Sequence, residues 1–128
     1  MFQIFDIEKE TKNNMNFRKV IDTHSHQQLV LMSLKPLEDI SMEKHQDTDQ
    51  FIKIEHGSGK VIIDGTEYEF SDGFGFIIPA GSCHQIINTS DKNYVKLYSV
   101  YSPPEHPSNR LDIEKPKDIK SFKIIYKS

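Results

Sequence analysis

Hydrophobic residues in this chain fall into short runs that end at turn-forming residues. The runs at 29–34, 51–54, 60–63 and 74–78 are each followed within a few positions by proline or glycine. Polar and apolar residues alternate over 66–70, as they do in a strand with one buried face. No stretch argues strongly for a long helix. The pattern therefore predicts a chain of short β-strands.

Two turn signatures set where the predicted strands reverse. Asp64-Gly65 separates two of them and is typical of a type I′ hairpin. Pro79-Ala80-Gly81 stops the run at 74–78, because proline fixes φ and glycine tolerates φ > 0. Short strands joined in this way are typical of an all-β barrel or sandwich.

The turn at 79–81 fixes the direction of a histidine. His84 follows it at the start of the next apolar run, so we expect its side chain to point into the barrel. Cys83 alternates with it and should face outward. A single buried histidine is more often a satisfied core residue than a ligand, so its meaning depends on its neighbours.

Those neighbours lie earlier in the chain. Glu43 and His45 are two positions apart and share one face of a strand, and Gln50 opens the next apolar run. Two neighbouring strands can then place a carboxylate, an imidazole and an amide oxygen around one point, with His84 as the fourth group. The alternative is that Glu43 and His45 are solvated edge residues and Gln50 caps a turn.

The second half of this pattern carries a family resemblance. Residues 73–88 match the second motif of the cupins, G-x5-P-x-G-x2-H-x3-N, at every position. The matching residues are Gly73, Pro79, Gly81, His84 and Asn88. The chain is therefore similar to a small single-domain cupin of the type-2 conserved-barrel kind, and the resemblance implies a jelly-roll β-barrel, the cupin double-stranded β-helix.

The first cupin motif, G-x5-H-x-H-x(3,4)-E-x6-G, is matched with three departures. Gly57 matches its end and His45 its second histidine. Glu43 stands at the first histidine, Gln50 at the glutamate and Leu37 at the opening glycine. The acid has in effect moved to the first ligand position, and an amide fills the position that it left.

The resemblance implies a metal site made of Glu43, His45, Gln50 and His84. Cupins usually hold their metal with three histidines and a glutamate. Two imidazoles and one carboxylate suit a divalent ion such as Zn, Fe, Ni or Mn, and the amide oxygen of Gln50 is the weakest donor. Loss of the metal site is the alternative.

Three functions agree with such a site. The first is a Lewis-acid isomerase or epimerase of a small sugar or carbonyl compound, since the chain resembles mannose-6-phosphate-isomerase-like cupins, whose zinc ligands are of the same types. The second is an iron-dependent oxygenase, and the third a non-catalytic small-molecule binding protein. Arg18 and Arg110 are the only arginines, which weakens a sugar-phosphate substrate in particular.

Three further residues are candidates for acid, base or substrate-contacting roles. Tyr98 and Tyr101 lie on opposite faces of one predicted strand, so only one can face the barrel interior. His26 precedes the first strong strand and would lie near the barrel mouth of the cupins that the chain resembles. Aromatic packing and an idle loop histidine are the alternatives.

Composition narrows the cellular context. The chain has 128 residues and a net charge of −3 from 16 basic and 19 acidic side chains, so it suits one domain and offers no basic field for nucleic acid. It has no apolar run of about 18 residues, and its start lacks the features of a signal peptide. The single cysteine fits a reducing compartment. We therefore expect a cytoplasmic protein without membrane partners.

The ends of the chain are less regular than its middle. We expect an N-terminal extension over 1–19, the cupin barrel over 20–107 and a C-terminal extension over 108–128. The first 17 residues suit an edge strand or a short helix. The apolar runs at 2–5 and 122–126 predict a homodimer built through sheet edges, because exposed edges and apolar ends attract partners. Packing on the chain's own barrel is the alternative.

Overall fold

A computed structural model describes residues 2–117 of the chain. This part contains one short helix and ten strands. In chain order they are α1 (Ile7–Asn13), β1 (Arg18–Thr23), β2 (Gln28–Leu34), β3 (Asp39–Lys44), β4 (Asp49–His56), β5 (Gly59–Ile63), β6 (Thr66–Phe70), β7 (Gly75–Ile78), β8 (Cys83–Asn88), β9 (Val95–Ser102) and β10 (Leu111–Asp112).

The strands form two antiparallel sheets that enclose a common core. The larger sheet has the order β10-β1-β2-β9-β4-β7, and the smaller has the order β3-β8-β5-β6. Consecutive strands such as β3 and β4 therefore belong to opposite sheets, as they do in a jelly-roll barrel. The all-β jelly-roll barrel predicted from the sequence is confirmed.

The predicted turns have the backbone that their residues favour. Asp64 and Gly65 both have positive φ, at 47° and 86°, and they join β5 to β6 with Ile63 opposite Thr66. That is the type I′ geometry, whose twist matches the flanking strands.

Leu37 has a backbone conformation that leucine seldom adopts. Its φ of 64° lies in the left-handed region, which costs an L-residue about 1–2 kcal/mol relative to the right-handed one. This is the position that the first cupin motif fills with glycine. The structure therefore gives a physical reason for that glycine and supports the alignment, although leucine replaces it here.

The barrel interior changes character along β9. Leu97, near the start of β9, is fully buried opposite Ile54 of β4. Further along the same face, Ser99 and Tyr101 are buried, and Tyr101 lies opposite Gln50. One end of the interior is thus apolar and the other is polar.

The N-terminal region forms a short helix, which was one of the two predicted alternatives. Asp6 caps α1 by accepting a hydrogen bond from the Lys9 N–H. The segment after the helix is held by Lys96 of β9, whose ammonium donates to the Asn14 carbonyl and to Ser33 Oγ. In residues 2–117, no helix is long and apolar enough to cross a membrane.

The apolar run at 122–126 lies outside the described residues, so the proposed role of the C-terminal extension stays a prediction. The run at 2–5 includes the exposed side chains of Phe2 and Ile4. The homodimer likewise stays a prediction.

Candidate metal centre

Two connections bring the two sequence motifs together. Glu43 of β3 lies directly opposite His84 of β8 in the antiparallel pair. His45 follows the end of β3, and its carbonyl accepts a 2.8 Å hydrogen bond from the Gly81 N–H of the turn before His84. As a result, Glu43, His45 and His84 each offer one ligand-type atom, and these atoms lie within 4.8 Å of one another.

Both histidines turn their Nδ1 atoms away from this cluster. His45 Nδ1 lies 3.3 Å from the Glu105 carboxylate, and His84 Nδ1 lies 3.4 Å from the Ser82 carbonyl. These acceptors favour a proton on Nδ1 and leave a lone pair on Nε2. Both Nε2 atoms are buried and have no hydrogen-bond partner among residues 2–117.

Gln50 adds a third acceptor of the same kind. Its side chain is buried, and its Nε2 donates to Ser99 Oγ at 3.0 Å and to Tyr101 Oη at 3.2 Å. The described part of the chain supplies no partner for the other amide atom, the buried Oε1. Buried acceptors are normally paired, so an unpaired one indicates a missing partner such as an ion.

The electrostatics of the cluster suit a cation. Burial raises the pKa of the Glu43 carboxyl, because it disfavours the charged form. Burial, and then the neighbouring His45, lowers the pKa of His84 to about 4, so this imidazole is neutral at neutral pH. The cluster thus combines a carboxylate that a cation would stabilise with an imidazole ready to donate its lone pair. These residues fit a divalent metal ion.

The loop after β9 adds two residues that sequence reasoning did not assign. Gln28 on β2 holds this loop: its Nε2 donates to the His106 carbonyl, and its Oε1 accepts from the Glu105 and His106 N–H groups. The His106 ring lies 5.0 Å from the Tyr101 ring and 6.5 Å from the His45 ring. Glu105 and His106 both lie in the proline-rich segment 102–107, which has no spacing pattern that links it to the cluster.

The three other candidate residues lie in different surroundings. Tyr101 is buried, with its ring 5.5 Å from that of His45, and burial raises its pKa so that the hydroxyl stays protonated. Tyr98 lies on the opposite face of β9 and packs against Phe51. His26 is exposed in the loop between β1 and β2. Of the two tyrosines, only Tyr101 borders the cluster.

The two arginines, which are far apart in sequence, meet beside this loop. Arg18 Nη1 lies 2.7 Å from the Asp112 carboxylate, and Arg110 Nε lies 3.0 Å from the same oxygen. Burial, followed by these two arginines, lowers the pKa of His106 to about 3. The small number of arginines weakened a sugar-phosphate substrate in particular, but the structure places both of them on one carboxylate beside the cluster.

Comparison with known proteins identifies the family. The model of the family described as Cupin domain matches residues 30–101. Protein L612 of Acanthamoeba polyphaga mimivirus is 47% identical over 118 residues, which cover 89% of this chain and 73% of L612. YrkC of Bacillus subtilis is 39% identical over 110 residues, and the match covers 81% of this chain but only 59% of YrkC.

A solved structure agrees with these matches. The crystal structure of a Bacillus halodurans protein superposes with a TM-score of 0.86 at 34% sequence identity. The superposition covers 98% of this chain and 95% of that protein. The likeness therefore extends beyond the matched domain to the residues that flank it.

Proposed function

This chain belongs to the cupin family, and on that premise we propose that it is a metal-dependent isomerase or epimerase of a small sugar or carbonyl compound. The observation that carries the proposal is a set of buried acceptor atoms, in and around the cluster, that have no partner among residues 2–117. These are His45 Nε2, His84 Nε2 and Gln50 Oε1. A single divalent ion would satisfy all of them.

The proposed ligands are therefore Glu43, His45, Gln50 and His84. One carboxylate and three neutral donors leave a divalent ion with a net positive charge. When bound, such an ion supplies Lewis acidity that polarises a carbonyl oxygen. The protein orients the two imidazole donors. The contacts of His45 Nδ1 with Glu105 and of His84 Nδ1 with Ser82 hold the rings in place.

Two side chains next to the ligands suit proton transfer. Glu105 is partly exposed and is not itself one of the proposed ligands, so its carboxylate is the candidate base that removes a proton from the carbon next to the carbonyl. Tyr101 keeps its hydroxyl protonated and is the candidate donor toward a substrate oxygen. Returning the proton to the opposite face of the same carbon gives epimerisation. Returning it to the former carbonyl carbon gives isomerisation.

Elemental analysis of purified protein tests the metal. We expect close to one transition-metal ion per chain in the wild type and a large loss in His84→Ala, which removes one of the two proposed imidazole ligands. Substituting the exposed His26 with alanine is the matched control and should leave the metal content unchanged. Equal metal content in wild type and His84→Ala would contradict the proposed site.

Deuterium exchange tests the reaction. Metal-loaded protein is incubated in D2O with small sugars and hydroxycarbonyl compounds, and NMR detects deuterium at the carbon next to the carbonyl. We expect exchange in the wild type and loss of exchange in Glu105→Gln with the metal retained, because glutamine can still contact His45 but cannot take up a proton. Metal binding without exchange of any tested compound would favour a non-catalytic binding protein.

One observation favours a second function. Among the described residues, the cluster contains two imidazoles and one carboxylate, and this ligand set can hold Fe(II) with open positions for oxygen and substrate. Iron as the bound metal, with oxygen consumption that His84→Ala abolishes, would support an oxygenase. Zinc or nickel would favour the isomerase.

A further inference from the structure

We propose that His106, backed by Arg18 and Arg110, forms a subsite for the carboxylate of a small substrate, next to the proposed metal ligands. This inference rests on the proposed function, because it names the class of compound that the site takes. Its donor and charges come from His106, Arg18 and Arg110, none of which is a proposed metal ligand, so the two proposals can fail separately.

The contact with Arg110 fixes the proton on the His106 ring. Arg110 Nη1 lies 3.3 Å from His106 Nδ1. A guanidinium group has only N–H donors, so Nδ1 must accept and the ring proton must be on Nε2. His106 is therefore a neutral hydrogen-bond donor through Nε2–H.

This donor is buried and unused. Within the described range of 2–117, His106 Nε2 has no hydrogen-bond partner. Its ring is perpendicular to the Tyr101 ring at 5.0 Å, and Tyr101 in turn accepts from the proposed ligand Gln50. A substrate bound at the proposed metal site would place an oxygen atom where it can accept a hydrogen bond from this donor.

The charges around His106 favour an anion. Arg18 and Arg110 share the single carboxylate of Asp112, so the three groups together carry a net positive charge. The Arg18 side chain is more than nine-tenths buried, and its Nε–H has no acceptor in the part of the chain that the structure describes. A buried positive charge that is incompletely paired is stabilised by an incoming anion.

A carboxylate matches this subsite better than a phosphate ester. Its single negative charge equals the net charge of the arginine pair with Asp112, whereas a phosphate ester dianion exceeds it. The imidazoles of the cluster are almost fully buried, His45 at 7% and His84 at 1% exposure, which favours a small ligand over a large one. Gln28 holds the backbone on both sides of the Glu105–His106 peptide, which keeps the donor in place before the ligand arrives.

Calorimetric titration with two matched ligands tests the subsite. Zinc-loaded full-length protein is titrated with pyruvate and with hydroxyacetone, which has a neutral hydroxymethyl group in place of the carboxylate. We expect pyruvate to bind about tenfold more tightly, as expected for one hydrogen bond to a charged group. His106→Phe, which keeps the ring and loses the donor, should lose most of this preference, whereas the control His26→Phe should keep it.

The outcomes separate the two proposals. Zinc binding without a preference for pyruvate, or an undiminished preference in His106→Phe, overturns the carboxylate subsite and leaves the metal site intact. Failure of zinc and equally of Fe, Ni and Mn to bind overturns the proposed function, and the subsite is then decided on metal-free protein. There, NMR of the imidazole nitrogens should show the His106 proton on Nε2 and a shift of that signal with pyruvate. A proton on Nδ1, or no shift, would overturn the subsite.

Discussion

The two ends of the barrel interior are built by the same strands but from different residue types. At one end Ile54 and Leu97 face each other across β4 and β9 and are fully buried. At the other end the same two strands place Gln50 opposite Tyr101. The apolar end buries aliphatic side chains against one another, whereas at the polar end buried acceptors lack partners among residues 2–117. The two ends therefore differ in kind: the apolar end serves stability, and the polar end suits the ligand binding that we propose.

Typical free energies of apolar burial and of unpaired polar groups support this division between the two ends. Burying one large aliphatic side chain contributes about 1.5–3 kcal/mol to folding. Leaving one buried polar group unpaired costs about 1–3 kcal/mol. The three acceptors at the polar end that are unpaired within the described residues can thus offset much of what a few apolar residues contribute. A sequence that served stability alone would not place His45, Gln50 and His84 there.

The largest expected effect comes from the apolar end. Ile54→Ala should lower the free energy of unfolding by about 2–5 kcal/mol, because Ile54 is fully buried and the substitution leaves a cavity. Urea unfolding of metal-free protein measures this loss. A matched substitution of the exposed Ile77 with alanine should cost far less. Equal losses at the two positions would contradict the assignment of the core.

The contribution of the polar end to the free energy of unfolding should depend on pH, whereas the contribution of the apolar end should not. In metal-free protein the pKa of His84 falls from 6.5 to about 4, so the unfolded chain binds its proton more readily. Stability from this group is present above about pH 6.5 and is lost as the pH falls toward 4, by up to about 3 kcal/mol. The raised pKa of Glu43 acts in the opposite direction, lowering stability as the pH rises above 4.5.

Urea unfolding between pH 4 and 7 in the presence of a chelator tests this prediction. The difference between wild type and His84→Gln isolates the histidine, because Glu43 is present in both proteins. That difference should change by up to about 3 kcal/mol across the interval. A difference that stays constant with pH would show that His84 is not desolvated in the folded protein.

Metal binding at the polar end should stabilise the folded protein and so reduce the difference in stability contribution between the two ends. An ion at about 100 times its dissociation constant stabilises the folded state by about 2.7 kcal/mol, provided that it binds only the folded chain. Thermal unfolding should show this shift in the wild type and lose it in His84→Ala. Gln50→Ala should reduce the shift less, because an amide oxygen is the weakest donor of the four. An equal shift in all three proteins would place the ion elsewhere.

Local chemistry was sufficient to predict short strands in a barrel or sandwich, because it sets the turns, and the resemblance to the cupins implied the jelly-roll barrel. Asp64-Gly65 and Pro79-Ala80-Gly81 act within a few residues, and the alternation between them assigns each side chain to a face. The cupin motifs also carried Glu43, His45, Gln50 and His84 as candidates, and the structure brings Glu43, His45 and His84 within reach of one ion.

Contacts between distant segments could not be read from the sequence in this way. Glu105 and His106 reach the cluster because Gln28, which is 78 positions before His106, holds their backbone. Arg18 and Arg110 meet because β10 pairs with β1 and brings Asp112 between them. A glutamine and two arginines have no spacing pattern that reveals such partners, so only the assembled sheets show them.

The Gln28 anchor has a consequence for how such a protein can diversify. Gln28 lies on β2 opposite Tyr101, and its side chain forms hydrogen bonds with main-chain atoms of the loop rather than with its side chains. Residue 106 can therefore be exchanged by mutation while the loop keeps its path. The proposed metal ligands belong to other segments, on β3, β4 and β8 and beside them. Descendants of one ancestral gene could in this way acquire new substrate preferences by altering a single loop, with the metal chemistry inherited unchanged.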